Sequence, residues 1–201
     1  MAADPAWLGR PARHPQVRRA LRELRGFGVP TALEVVWAAD GSGVEPDAPR
    51  VIHVHRGLLE AAPARVRQLA ERVVCIDLLS VVRHEIGHAL LMLDDRAAST
   101  DEFRACFGDI RQRYAVGTVA AEVGRRLERH RGLANPRYRR VVSLYAATHP
   151  HERFAEAVRM ALATGGRPAA IEAWTQAAGV DPCVGAQIRY AAAWLARQRH
   201  P

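Results

Sequence analysis

Residues 84–88 read His-Glu-Ile-Gly-His, and this pentad lies inside an apolar run, residues 76–93, that predicts a helix. Histidines four apart stand one above the other on one helical face, with Cβ atoms about 5–6 Å apart. That spacing lets His84 and His88 share one tetrahedral metal, normally zinc. Glu85 is too close in sequence to His84 to share its role, but it can sit beside a metal-activated water and take its proton. The chain carries 9 His, and random placement of its His and Glu would yield only about 0.02 such pentads, so the stretch is read as a metal site. Whatever the fold, it must bring at least one further ligand to this helix.

Composition fits a globular enzyme of one domain. The 201 residues are 49% hydrophobic and 25% charged, close to the globular average and long enough to bury a core. No segment approaches the roughly 18 uncharged apolar residues of a membrane span. The stretch 1–19 has Asp4 early and no apolar h-region, so no signal peptide is expected. Cys75, Cys106 and Cys183 lie far apart without CxxC spacing, which predicts free thiols in a reducing, cytoplasmic compartment. The net charge is +8, and every basic residue is Arg. No basic-aromatic interleaving, zinc-finger spacing or nucleic-acid-binding signature accompanies it, so most of the Arg is assigned to solvated surface and a nucleic-acid partner is not expected.

The order of elements predicts an α+β fold, with a small antiparallel sheet near the N-terminus packed on a helix-rich domain. Residues 1–15, with Pro5, Pro11 and Pro15, form a flexible lead-in, and 16–201 a single domain. Residues 17–25 form a short surface helix closed by Gly26 and Gly28. The β-branched runs 31–38 and 50–56 flank Gly41-Ser42-Gly43 and predict two adjacent antiparallel strands. His53 and His55 alternate with Ile52 and Val54, which puts both on one polar sheet face. Further helices are expected at 64–74, at 101–107 capped by Ser99 or Thr100, and at 118–131 closed by Gly132. Pro150 opens another, stopped by Gly165-Gly166, and Arg167-Pro168 and Asp181-Pro182 open two more.

Two histidines leave a catalytic zinc one protein ligand short. Asp94 lies six residues after His88, where metzincin-type sites place their third ligand, but those sites turn the chain on a Gly and here Leu91 occupies that position. His149 and His151 are further candidates. Glu152 and Glu156, four apart, share a helix face. One carboxylate could bind the metal while the other accepts an imidazole N–H and fixes its tautomer. Spacing alone does not choose between them.

The segment Tyr145, Glu152, Phe154, Ala155, Glu156 and Ala157 has the form Y-x(6)-E-x-F-A-E-A. With the pentad, it resembles the gluzincins, in particular metallopeptidases related to the anthrax lethal factor catalytic domain and a set of bacterial zinc peptidases. Glu102-Phe103-Arg104 with Phe107-Gly108 is a weaker echo. The resemblance covers about twenty residues in two segments. It implies a zincin-like fold with His84, His88 and Glu152 as zinc ligands and Glu85 as general base. It further implies Tyr145 as phenolic donor to the tetrahedral oxyanion and Glu156 as support behind a ligand. Arg153 stands where the family often has an aromatic residue, a change expected to alter packing near the metal. The function implied is a zinc endopeptidase in which Glu85 deprotonates the attacking water and later protonates the leaving amine. Two alternatives share the zinc site: a regulatory or partner-binding protein without turnover, whose sphere His149 or His151 would close, and a nucleic-acid-associated protease.

Arg125, Arg126, Arg129, Arg131, Arg137, Arg139 and Arg140 crowd the chain ahead of Tyr145. Chain order places them between the two halves of the site, where a positive rim would draw acidic peptide substrates.

Overall fold

The computed structural model describes residues 9–30, 32–59, 77–94, 96–112 and 139–198. The helices expected at 64–74 and 118–131, Cys75, and the Arg cluster up to Arg137 lie outside them.

The N-terminal helix α1 (Pro15–Gly26) starts on a proline and buries Val17, Ala20 and Leu24 along one stripe. A short 3-10 turn, Pro11–Arg13, precedes it and buries Pro11. Three strands follow: β1 (Glu34–Ala38), β2 (Gly43–Val44) and β3 (Val51–His55). Ile52 and Val54 are fully buried, and the alternation leaves His53 and His55 half-buried on the opposite face.

The sheet is mixed, with order β1-β3-β2. The two long strands are adjacent, as their patterning predicts, but they run parallel, from Glu34 opposite Val51 to Ala38 opposite His55. The expected antiparallel pairing is therefore corrected. Its cause is β2, which pairs antiparallel to β3 on the other side. The chain reverses into β2 and again into β3, and two reversals restore the original direction.

Helix α2 (Leu78–Leu93) carries the pentad. Asp77 caps it, its side chain accepting from the Ser80 amide at 2.9 Å. From Val81 to Leu91 every residue of α2 is buried, because the sheet, α1 and a later helix surround it. Helix α3 (Asp101–Phe107) is capped by the Thr100 hydroxyl. Helix α4 (Pro150–Thr164) follows the 3-10 turn Tyr145–Ala147 and ends at Gly165, whose φ of 63° is left-handed. Helices α5 (Pro168–Ala177) and α6 (Pro182–Arg197) complete the described chain, both opening on proline as expected. No helix among the described residues is long and apolar enough to cross a membrane.

The core behind the site is aromatic. Phe103 and Phe107 of α3 meet Phe154 of α4 at ring-centroid distances of 5.4 and 5.3 Å, and Phe154 meets Trp194 of α6 at 5.2 Å. Phe107 also packs on Tyr190 at 5.3 Å. These tilted and edge-on contacts anchor one face of α4 and leave the opposite face to α2.

Candidate metal centre

Helices α2 and α4 present matching stripes to each other. On α2 the stripe is His84, Gly87, His88, and on α4 it is Glu152, Ala155, Glu156, Arg159, the i, i+3, i+4, i+7 positions of one helical face. Gly87 sets the spacing. A β-carbon there would lie 2.7 Å from the Ala155 Cα and 3.2 Å from its carbonyl oxygen, so the two backbones cross as closely as glycine permits. Charged side chains face an apolar helix at this crossing, and each is matched by a partner.

His84 Nε2 lies 2.9 Å from Glu152 Oε2 and 3.0 Å from His88 Nε2, and His88 Nε2 lies 3.2 Å from the same Glu152 oxygen. On its other side the His84 ring donates from Nδ1 to Glu156 Oε1 at 2.9 Å. With its proton on Nδ1, His84 turns the Nε2 lone pair towards the Glu152 carboxylate. Three electron-pair donors then face one another at about contact distance. Only a cation between them, a proton or a metal, relieves that arrangement. A tetrahedral ion with bonds of about 2.0–2.1 Å has donor–donor edges of about 3.3 Å, close to the three observed. The donor set fits zinc.

Burial sharpens the electrostatics. Glu152 is 2% exposed and Glu156 fully buried. Burial alone would raise both carboxyls. In Glu152 the His84 and His88 rings, when a proton sits between them and the carboxylate, outweigh it and bring the carboxyl to about 2. In Glu156 the Arg159 guanidinium and His84 outweigh it and hold the group well below the usual carboxylate range. Glu85 is buried beside them without a hydrogen-bonded partner among the described residues. Burial therefore dominates there and raises its carboxyl, with His84 and His88 pulling the other way.

Two rings flank the cluster. Tyr145 stands on the His84 side, ring centroids 5.4 Å apart. His151 stacks on His88 at 6.0 Å, and burial brings its imidazole down to about 4. His149 is spoken for by the fold: its Nδ1 caps α4 by accepting from the His151 amide at 3.1 Å, and its Nε2 donates to the Gln112 carbonyl at 2.9 Å.

Among the described residues, the group able to hold a metal comprises His84, His88 and Glu152. Glu85, Tyr145 and Glu156 lie around it. Asp94 does not join them. It caps the C-terminus of α2 and accepts from Gln198 Nε2 at 3.2 Å. Arg153 is also turned away, its Nη1 donating to the Phe107 carbonyl at 3.2 Å, so the position after Glu152 bears on the aromatic core. Gly87 and Arg159 were missed. Glycine inside an apolar helix is the signal that could have marked the first. An arginine seven residues after Glu152 resembles any surface arginine and gives no such cue.

Residues 60–190, well over half of the 201, match the family described as "Putative zinc-binding metallo-peptidase". The chain belongs to that family of zinc metallopeptidases. It matches no curated protein and no solved structure.

Proposed function

We propose that this chain is a zinc-dependent endopeptidase of the gluzincin type, with His84, His88 and Glu152 as its zinc ligands. One observation carries the reading: three donor atoms from two helices converge at 2.9–3.2 Å beside a buried carboxylate, Glu85. Three protein donors is the number catalytic zinc sites use, whereas structural sites use four.

When bound, the ion supplies Lewis acidity, which activates a water and polarises a carbonyl. The protein supplies the rest. Glu85, buried beside the donor atoms, accepts the proton of the attacking water. Once protonated it returns that proton to the leaving amine nitrogen. Tyr145, beside His84, donates its phenolic hydrogen to the oxygen that becomes negative as the carbonyl is attacked. Glu156 accepts from His84 Nδ1 and so keeps the tautomer whose Nε2 can bind metal.

Peptides with acidic residues are the proposed substrates, drawn by the Arg-rich segment, of which Arg139 and Arg140 are described and exposed. The free Cys106 and Cys183 suit a reducing, cytoplasmic location.

The test is metal content together with peptide cleavage. Purified protein is expected to carry about one equivalent of zinc and to cleave members of a peptide library, with a chelator abolishing cleavage and zinc restoring it. A well-folded chain that takes up no zinc, or cleavage that survives complete removal of the metal, would overturn the proposal.

A further inference from the structure

Arg159 is the one charged side chain on the α2-facing stripe of α4 without a role in the proposed reaction. It is 7% exposed and lies three residues past Glu156. Its Nε donates to Glu156 Oε1 at 3.0 Å and its Nη2 to Oε2 at 2.9 Å, a two-point grip on one carboxylate. The same Oε1 accepts from His84 Nδ1 at 2.9 Å. The order Arg159, Glu156, His84 is therefore one continuous chain of hydrogen bonds that ends at a metal-capable nitrogen.

The geometry of that chain has a direct consequence. A glutamate side chain turns about three single bonds, and one hydrogen bond from an imidazole leaves its carboxylate plane free to rotate. Two parallel bonds from a planar guanidinium fix that plane. Once the plane is fixed, Oε1 sets where Nδ1–H points. The imidazole ring is rigid, so Nε2 on its far side is aimed as well. Here that aim is onto Glu152 Oε2 and His88 Nε2.

We propose that Arg159 is a positioning residue for the metal centre, acting through Glu156 to orient His84. The inference rests on the metal-binding reading above. It assigns Arg159 no contact with the ion or with substrate. The competing role is a buried ion pair that only holds α4 together, and such a pair would affect stability without setting zinc affinity.

Zinc affinity of the full chain, measured by competition with a chromophoric chelator, separates the two roles. The visible absorption of the cobalt-loaded protein serves as a second readout, and melting of the metal-free protein serves as a fold check. Arg159→Lys keeps the charge but loses the two-point grip. It is expected to weaken zinc at least tenfold, within the roughly 10–100-fold range for groups that orient a ligand, and to change the cobalt spectrum. Glu156→Gln is expected to weaken zinc similarly. In that background Arg159→Gln, which leaves neither member of the pair charged, is expected to cost no more than about twofold further, because the relay is already cut. Arg159→Lys binding zinc as wild type does, or losses that multiply in the double variant, would overturn the inference and leave the zinc site standing. Should Arg159→Lys not fold, the comparison of Glu156→Gln with and without Arg159→Gln decides alone. Wild-type protein that binds neither zinc nor cobalt would overturn the metal reading, and this inference with it.

Discussion

Gly87 rests on the backbone of Ala155 so closely that an added β-carbon would stand 2.7 Å from the Ala155 Cα. The Gly87 position of the pentad thus matters as well as its histidines. Gly87→Ala should act against helix propensity, which favours alanine by about 1 kcal/mol. Overpacking of this kind costs about 1–3 kcal/mol, and the forced separation of α2 and α4 also draws Glu152 away from the histidines. The expected result is a net loss of stability in urea unfolding together with weaker zinc binding. An alanine variant more stable than wild type with unchanged zinc affinity would show that the crossing is not this tight.

Arg83, next to His84 but on another face of α2, ties that helix to α1. Its Nε donates to Glu23 Oε2 at 2.7 Å and its Nη2 to Oε1 at 2.6 Å, with the Arg83 side chain 9% exposed. Removing Arg83 deletes two charge-assisted hydrogen bonds, while Glu23, 20% exposed, keeps Arg19 at 3.0 Å, so Arg83→Met is expected to cost on the order of 2 kcal/mol. Arg104→Met, which breaks a pair whose Asp101 side chain is 98% exposed, should change stability by less than about 1 kcal/mol. Equal midpoints in denaturant for the two variants would contradict the burial argument.

The third ligand can be tested apart from the activity. Glu152→Ala should strip zinc from the protein, whereas Asp94→Ala should leave the metal content near one equivalent, since Asp94 is occupied at the end of α2. The opposite pattern would mean that the chain after His88 turns back to the ion as metzincins do.

Substrate charge gives another prediction. If the Arg-rich segment borders the cleft, kcat/KM for acidic peptides should exceed that for neutral ones at low salt, and the difference should shrink as salt screens it over a Debye length of about 8 Å at physiological strength. Changing Arg137, Arg139 and Arg140 to Gln should remove most of that difference. The same preference and the same salt dependence in both proteins would assign these arginines to solvated surface.

What was legible in the sequence was local. The pentad, the Pro150 opening and Gly165 close of α4, the Thr100 cap and the proline starts of α5 and α6 are each written within a few residues. The convergence of Glu152 on the pentad was legible only because a second short segment resembled a known one. Strand direction was not, since the alternation of β3 is the same for a parallel or an antiparallel neighbour, and the two-residue β2 that decides it carries no pattern of its own. The Arg83–Glu23 pair spans 60 residues and the Gly87–Ala155 crossing spans more. Neither leaves a periodic trace, because each depends on how two helices meet.

The most direct test of the proposed chemistry is Glu85→Gln. Glutamine preserves the size of the buried side chain and leaves His84, His88 and Glu152 in place, but it cannot accept a proton at neutral pH. The variant is expected to carry zinc at the wild-type stoichiometry while its kcat for peptide cleavage falls by at least about 100-fold, the lower bound for loss of a general base. A Glu85→Gln protein that retains zinc and cleaves peptides at the wild-type rate would contradict the assignment of Glu85 and the peptidase mechanism built on it.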